Sequence, residues 1–77
     1  LVKLDNAVAL GKTGAWEEAQ VRASPKNRTQ WFVMLRDNRS KSFVLADNDD
    51  NPIATDDMNT LVQLIKSLGL NDFTVFL

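Results

Sequence analysis

Two stretches of this sequence carry residue types that could hold a ligand directly: Gly11-Lys12-Thr13-Gly14 and Asp47-Asn48-Asp49-Asp50-Asn51. The first has the ending of a phosphate-binding loop, in which glycine amides and a lysine cradle phosphate oxygens. The full motif needs a further glycine five residues earlier, and Asn6 stands there. It also needs a buried strand before it and a helix after it, which so few preceding residues barely allow. A glycine turn leading into a strand with Trp16 accounts for it better. The second stretch alternates oxygen ligands at 47, 49 and 51, as a calcium loop does. Such a loop then needs glycine in sixth place and a bidentate glutamate in twelfth. Pro52 and Met58 occupy those places, so a solvated hairpin turn is the better reading.

The inventory of reactive groups is short. The chain has no histidine and no cysteine. Disulfides are therefore impossible, and zinc, haem and copper sites of the ordinary kind are excluded. General acid–base work at neutral pH most often uses histidine, and nucleophilic work often uses cysteine, or serine with histidine. Paired carboxylates can serve instead. Glu17 and Glu18, however, are neighbours on a strand and point to opposite faces. Asp56 and Asp57 fit helix capping. Ser40-Lys41 and the Ser24/Lys26 pair fall in turns, where a buried lysine is not expected. The sequence is thus expected to have no catalytic residues, no cofactor and no metal. Asn27-Arg28-Thr29 and Asn38-Arg39-Ser40 match a glycosylation acceptor pattern, but with no visible secretory signal they read only as polar turns.

Seventy-seven residues make one domain at most. Ordering them costs on the order of 100 kcal/mol in conformational entropy, which a small core only just offsets. The composition, 44% hydrophobic and 25% charged, is that of an ordinary globular chain. The longest apolar run, Trp31 to Leu35, is far too short to span a bilayer. A cytoplasmic location with no membrane partner is expected. The chain opens on Leu1 rather than Met, so residues 1–77 read as a single small domain or as a fragment of a longer chain.

The expected fold class is α+β: a small antiparallel sheet of about four strands, roughly 15–23, 30–36, 42–47 and 73–77, with one helix at 56–68. Ala19, Val21 and Ala23 alternate with Glu18, Gln20 and Arg22, as in a half-buried strand. The runs 31–36 and 42–47 flank the polar Asp37–Lys41 turn and read as a hairpin. Asp47–Pro52 is a second turn, after which Ile53-Ala54 could add a short edge bridge. Thr55, Asp56 and Asp57 suit a helix start. Met58, Leu61, Val62, Leu64, Ile65 and Leu68 then recur at helical spacing, and Gly69 followed by Leu70 suits a Schellman stop. Residues 1–14 fit either a helix, with Leu4, Ala7 and Val8 on one face, or an extended segment, with Gly11 and Gly14 ending it.

The strand runs 31–35, 43–46 and 73–77 are nearly continuous in apolar residues. A sheet with one wet face should alternate, so both faces are expected to be covered. One helix covers one face. Residues 1–14 or a second molecule must cover the other.

Charge is segregated although the net charge is only −1. Residues 22–41 hold six cations, Arg22, Lys26, Arg28, Arg36, Arg39 and Lys41, against the single Asp37, a net +5. Residues 47–57 hold Asp47, Asp49, Asp50, Asp56 and Asp57 and no base, a net −5. The cations cluster around the connections 24–29 and 37–41, which lie at opposite ends of the middle strand of a meander. Three readings compete. The blandest is solvated turns. The second is association, with acidic loops of one molecule meeting basic loops of another. The third is nucleic-acid binding by the basic loops around 22–41, with Trp16 or Trp31 stacking on bases. A pI near 5.1 and the apolar strands count against the third. The expectation is a non-catalytic interaction or oligomerisation module, with Arg28, Arg36, Arg39, Lys41 and Trp16 as the partner-binding candidates.

Overall fold

The computed structural model describes residues 1–77. Its elements in chain order are β1 (Val2–Lys3), α1 (Leu4–Lys12), β2 (Trp16–Ala23), β3 (Trp31–Asp37), β4 (Ser42–Ala46), β5 (Ala54–Thr55), α2 (Met58–Ser67) and β6 (Thr74–Phe76). The fold is α+β. Its sheet is mixed rather than antiparallel, in the order β1-β4-β3-β2-β6, with β5 also paired to β3. β2, β3 and β4 form the antiparallel meander, and β1 and β6 add parallel strands at its two edges.

Local chemistry sets most element ends. α2 starts two residues later than its spacing suggested, because Asp57 is its cap: the Asp57 carboxylate accepts from the Asn59 N–H at 2.9 Å. The helix stops in a Schellman arrangement. Gly69 adopts φ +82°, its N–H donates to the Lys66 carbonyl, and the Leu70 N–H donates to the Ile65 carbonyl.

The two turns flanking β4 are the same device. Asp37 accepts from the Arg39 and Lys41 N–H groups, and Asp47 accepts from the Asp49 and Asn51 N–H groups. In each, the fourth residue, Ser40 or Asp50, is left-handed at φ 65° or 69°. After the second turn, β5 resumes the line of β4 along β3.

Residues 1–14 resolve into a two-residue strand and a helix. Gly11 lies inside α1 rather than ending it. It is where the helices touch: a Cβ on Gly11 would fall 2.7 Å from the Leu68 carbonyl carbon and closer still to its oxygen. Gly14, at φ +76°, makes the exit turn. The Trp16 indole N–H donates to the Ala7 carbonyl at 2.9 Å and ties α1 to β2.

Both helices lie on the same face of the sheet. One core cluster joins Ala7 of α1 and Leu61 and Ile65 of α2, with Leu68 just beyond, to Trp16, Ala19, Val21, Val33, Leu35 and Leu45. Of the two covers expected for the second face, residues 1–14 or a second molecule, the first is therefore overturned. The reason is topological. The crossovers β1-α1-β2 and β5-α2-β6 both join parallel strands and both travel the same way across the sheet. A common hand then places both helices on one side.

Candidate functional site

The face without helices is built from the alternate residues of each strand, which the register aligns in three rows. Val44, Met34, Gln20 and Thr74 form the middle row. Ser42, Arg36 and Glu18 form the row toward the 37–41 turn. Ala54, Phe32, Arg22 and Phe76 form the row toward the other end. Four apolar side chains, Phe32, Met34, Val44 and Phe76, thus share one open face, and Phe76 is 38% exposed.

Four polar side chains of this face, Glu18, Gln20, Arg22 and Arg36, are bonded to one another. Arg22 donates through Nε and Nη2 to Gln20 Oε1, and Gln20 Nε2 donates to Glu18 Oε1 at 2.8 Å. Arg36 donates through Nε and Nη2 to Glu18 Oε2, the shorter contact being 2.9 Å. That pair is part-exposed, with side chains 40% and 31% accessible, so solvent screens it. The Gln20 hydrogen bond and then Arg36 hold the Glu18 carboxyl below its ordinary pKa. The Arg22 guanidinium also lies over the Phe76 ring, 4.2 Å from its centre.

Two clefts flank Phe32 and Pro25 at the end of the sheet where β2 leaves and β3 begins. One, of about 420 Å³, is lined by Ser24, Lys26, Phe32, Val44, Asn51 and Ala54 among others. The second, of about 340 Å³, is lined by Arg22, Arg28, Phe32 and Phe76 among others. The basic 24–30 connection and the acidic 47–51 loop stand on opposite sides of the first.

The five partner-binding candidates are not brought together. Trp16 is only 7% exposed, inside the core and edge-on to Phe43. Burial removes it as a stacking platform, and Trp31 likewise packs against the helical core. Arg36 is on the open face. Arg28 lies at one end of β3, and Arg39 and Lys41 lie in the turn at the other. Asp37 in that turn is held below its ordinary pKa, first by the Lys41 N–H. Sequence reasoning missed Phe32, Met34, Val44 and Phe76, together with the Glu18–Gln20–Arg22 ladder. A period of two, laid over 31–36 as it was over 19–23, would have separated Phe32, Met34 and Arg36 from Trp31, Val33 and Leu35.

Gly11-Lys12-Thr13-Gly14 closes α1 and does not open a helix. The partial charge there is negative, which repels phosphate. Asp47 turns its carboxylate onto its own loop, and Asn48 accepts from the Asp5 N–H at the start of α1. No group of three or more acidic side chains is gathered as metal ligands. No helix is long and apolar enough to cross a membrane. The chain matches no family model, no curated protein and no solved structure.

Proposed function

We propose that this chain is a non-catalytic contact module that binds a protein surface with its open sheet face. The observation that supports this best is the mutual pairing of Glu18, Gln20, Arg22 and Arg36 on that face. Burying a polar group without a partner costs about 1–3 kcal/mol. Here Arg22, Gln20, Glu18 and Arg36 are already bonded to each other. A partner can therefore cover Phe32, Met34, Val44 and Phe76 without supplying those bonds. The chain offers no imidazole or thiol, so contact fits the face better than turnover does.

Nucleic acid is the competing occupant, with Arg22, Lys26 and Arg28 for phosphates and Phe32 for a base. It is the weaker reading because the Phe76 ring face is taken by Arg22 and both tryptophans belong to the core side.

Selection from a random displayed-peptide library tests the proposal. Apolar peptides that bind the purified protein are expected to lose binding on Met34→Lys, with the circular dichroism unchanged. Selected peptides indifferent to Met34→Lys would refute it. So would binding of a mixed single-stranded DNA of about 20 nucleotides that falls steeply with salt and is lost on Lys26→Glu/Arg28→Glu.

A further inference from the structure

We infer that the occupant of the open face is a second copy of this chain, stacked sheet on sheet about a two-fold axis running along β3. The inference rests on the reading of that face as a protein-contact surface. It starts from where the segregated charge ends up. The connection between β2 and β3 has Lys26 and Arg28, with Arg22 beneath it on the open face, and no acid. The loop after β4 has Asp47, Asp49 and Asp50 and no base. Both stand at the same end of the sheet, on opposite sides of β3, and Lys26 and Asn51 line one cleft between them.

A two-fold axis along β3, in the plane of contact, keeps strand direction and exchanges left for right. It sets β4 of one copy over β2 of the other. Each acidic loop then meets the basic connection of its partner, and the symmetry makes that contact twice. Phe32 and Met34 sit on the axis and pack against their own counterparts. Arg36 arrives there too, with its charge already matched by Glu18. A perpendicular axis would set the acidic loop over the 37–41 turn instead. That turn offers Arg39 and Lys41 but includes Asp37, so it is the poorer complement.

The surface also sets the strength. Five strands about 4.8 Å apart and about five residues long give a footprint of roughly 400 Å². This is below the ~800 Å² per partner of a standard interface, even allowing for side-chain relief and the two loop contacts. Association is therefore of the weak, transient kind.

Sedimentation equilibrium of the intact chain between about 10 μM and 1 mM tests this, given the 8.6 kDa monomer. The expected result is a reversible monomer–dimer equilibrium, abolished by Met34→Lys. Lys26→Glu/Arg28→Glu alone, and Asp49→Lys/Asn51→Lys alone, are each expected to weaken it about tenfold or more. All four together are expected to restore it. These loops are exposed, so circular dichroism is expected to report an unchanged fold in every variant. A strict monomer at 1 mM would overturn the inference. If peptides still select for the open face in that case, the contact-module reading stands and only the occupant is wrong. Rescue by Arg39→Glu/Lys41→Glu in place of the Lys26/Arg28 pair would overturn the axis. Open-ended polymers indifferent to Met34→Lys would point to strand pairing along the β6 edge and overturn it equally.

Discussion

Gly11→Ala sets two known effects against each other, and the structure decides the sign. Alanine is about 1 kcal/mol better than glycine inside a helix, so on propensity alone the variant gains stability. The new methyl, however, would lie 2.7 Å from the Leu68 carbonyl carbon and 3.1 Å from the Leu68 Cα. Both are backbone atoms, so no side chain can swing aside. Ordinary contact begins near 3.4 Å, and α1 and α2 must part by about 1 Å. A gap of that size forfeits a quarter to a half of the dispersion across it. Leu61, Ile65 and Leu68, each contributing roughly 1.5–3 kcal/mol by burial, then lose about 2–3 kcal/mol between them. Residual overpacking strain adds about 1 kcal/mol. The net is a destabilisation of about 2–3 kcal/mol, or a fall in melting temperature of about 10–20 °C for a chain of this size. Thermal denaturation followed by far-ultraviolet circular dichroism reads it directly. A variant melting at or above the parent would refute the close approach of the two helices.

Other expectations follow from the same geometry. Leu35→Ala should cost about 2–5 kcal/mol and Met34→Ala less than about 1 kcal/mol, and equal losses in urea denaturation would contradict the assignment of faces. Trp16→Phe removes the indole bond to Ala7 and should cost about 1–2 kcal/mol, and an unchanged urea midpoint would show that the bond does not matter. The Glu18 carboxyl, held below its ordinary pKa in the folded chain, stabilises above the unfolded value and loses that contribution as pH falls through the folded one. Glu18→Gln should therefore melt lower than the parent at neutral pH and converge with it in acid, and an offset that ignored pH would count against the ladder.

Features set by neighbours along the chain were legible in the sequence. The Asp57 cap, the Gly69-Leu70 stop, both aspartate turns and the alternation of β2 each depend on a few consecutive residues. β3 was harder to divide, because Phe32 and Met34 are as apolar as Val33 and Leu35, and hydropathy does not tell an open face from a covered one. The second helix on the same side was not legible, since it follows from strand order and crossover direction. Gly11 reads as a helix breaker until its partner, Leu68, is known to lie beside it. Residue type alone makes Trp16 a candidate for stacking on bases, and only the three-dimensional path reveals Ala7 as the acceptor for its N–H.

The paired turns around β4 have a practical consequence. Their backbone shape depends on the leading aspartate and on a left-handed fourth residue. The sign of the side chains between is left free, so Asp-Asn-Arg-Ser-Lys and Asp-Asn-Asp-Asp-Asn amount to one cassette written in opposite electrical senses. Exchanging the two five-residue segments should turn the molecule's polarity end for end while leaving its scaffold in place. The charge map of this domain can thus be rewritten without disturbing the architecture that displays it.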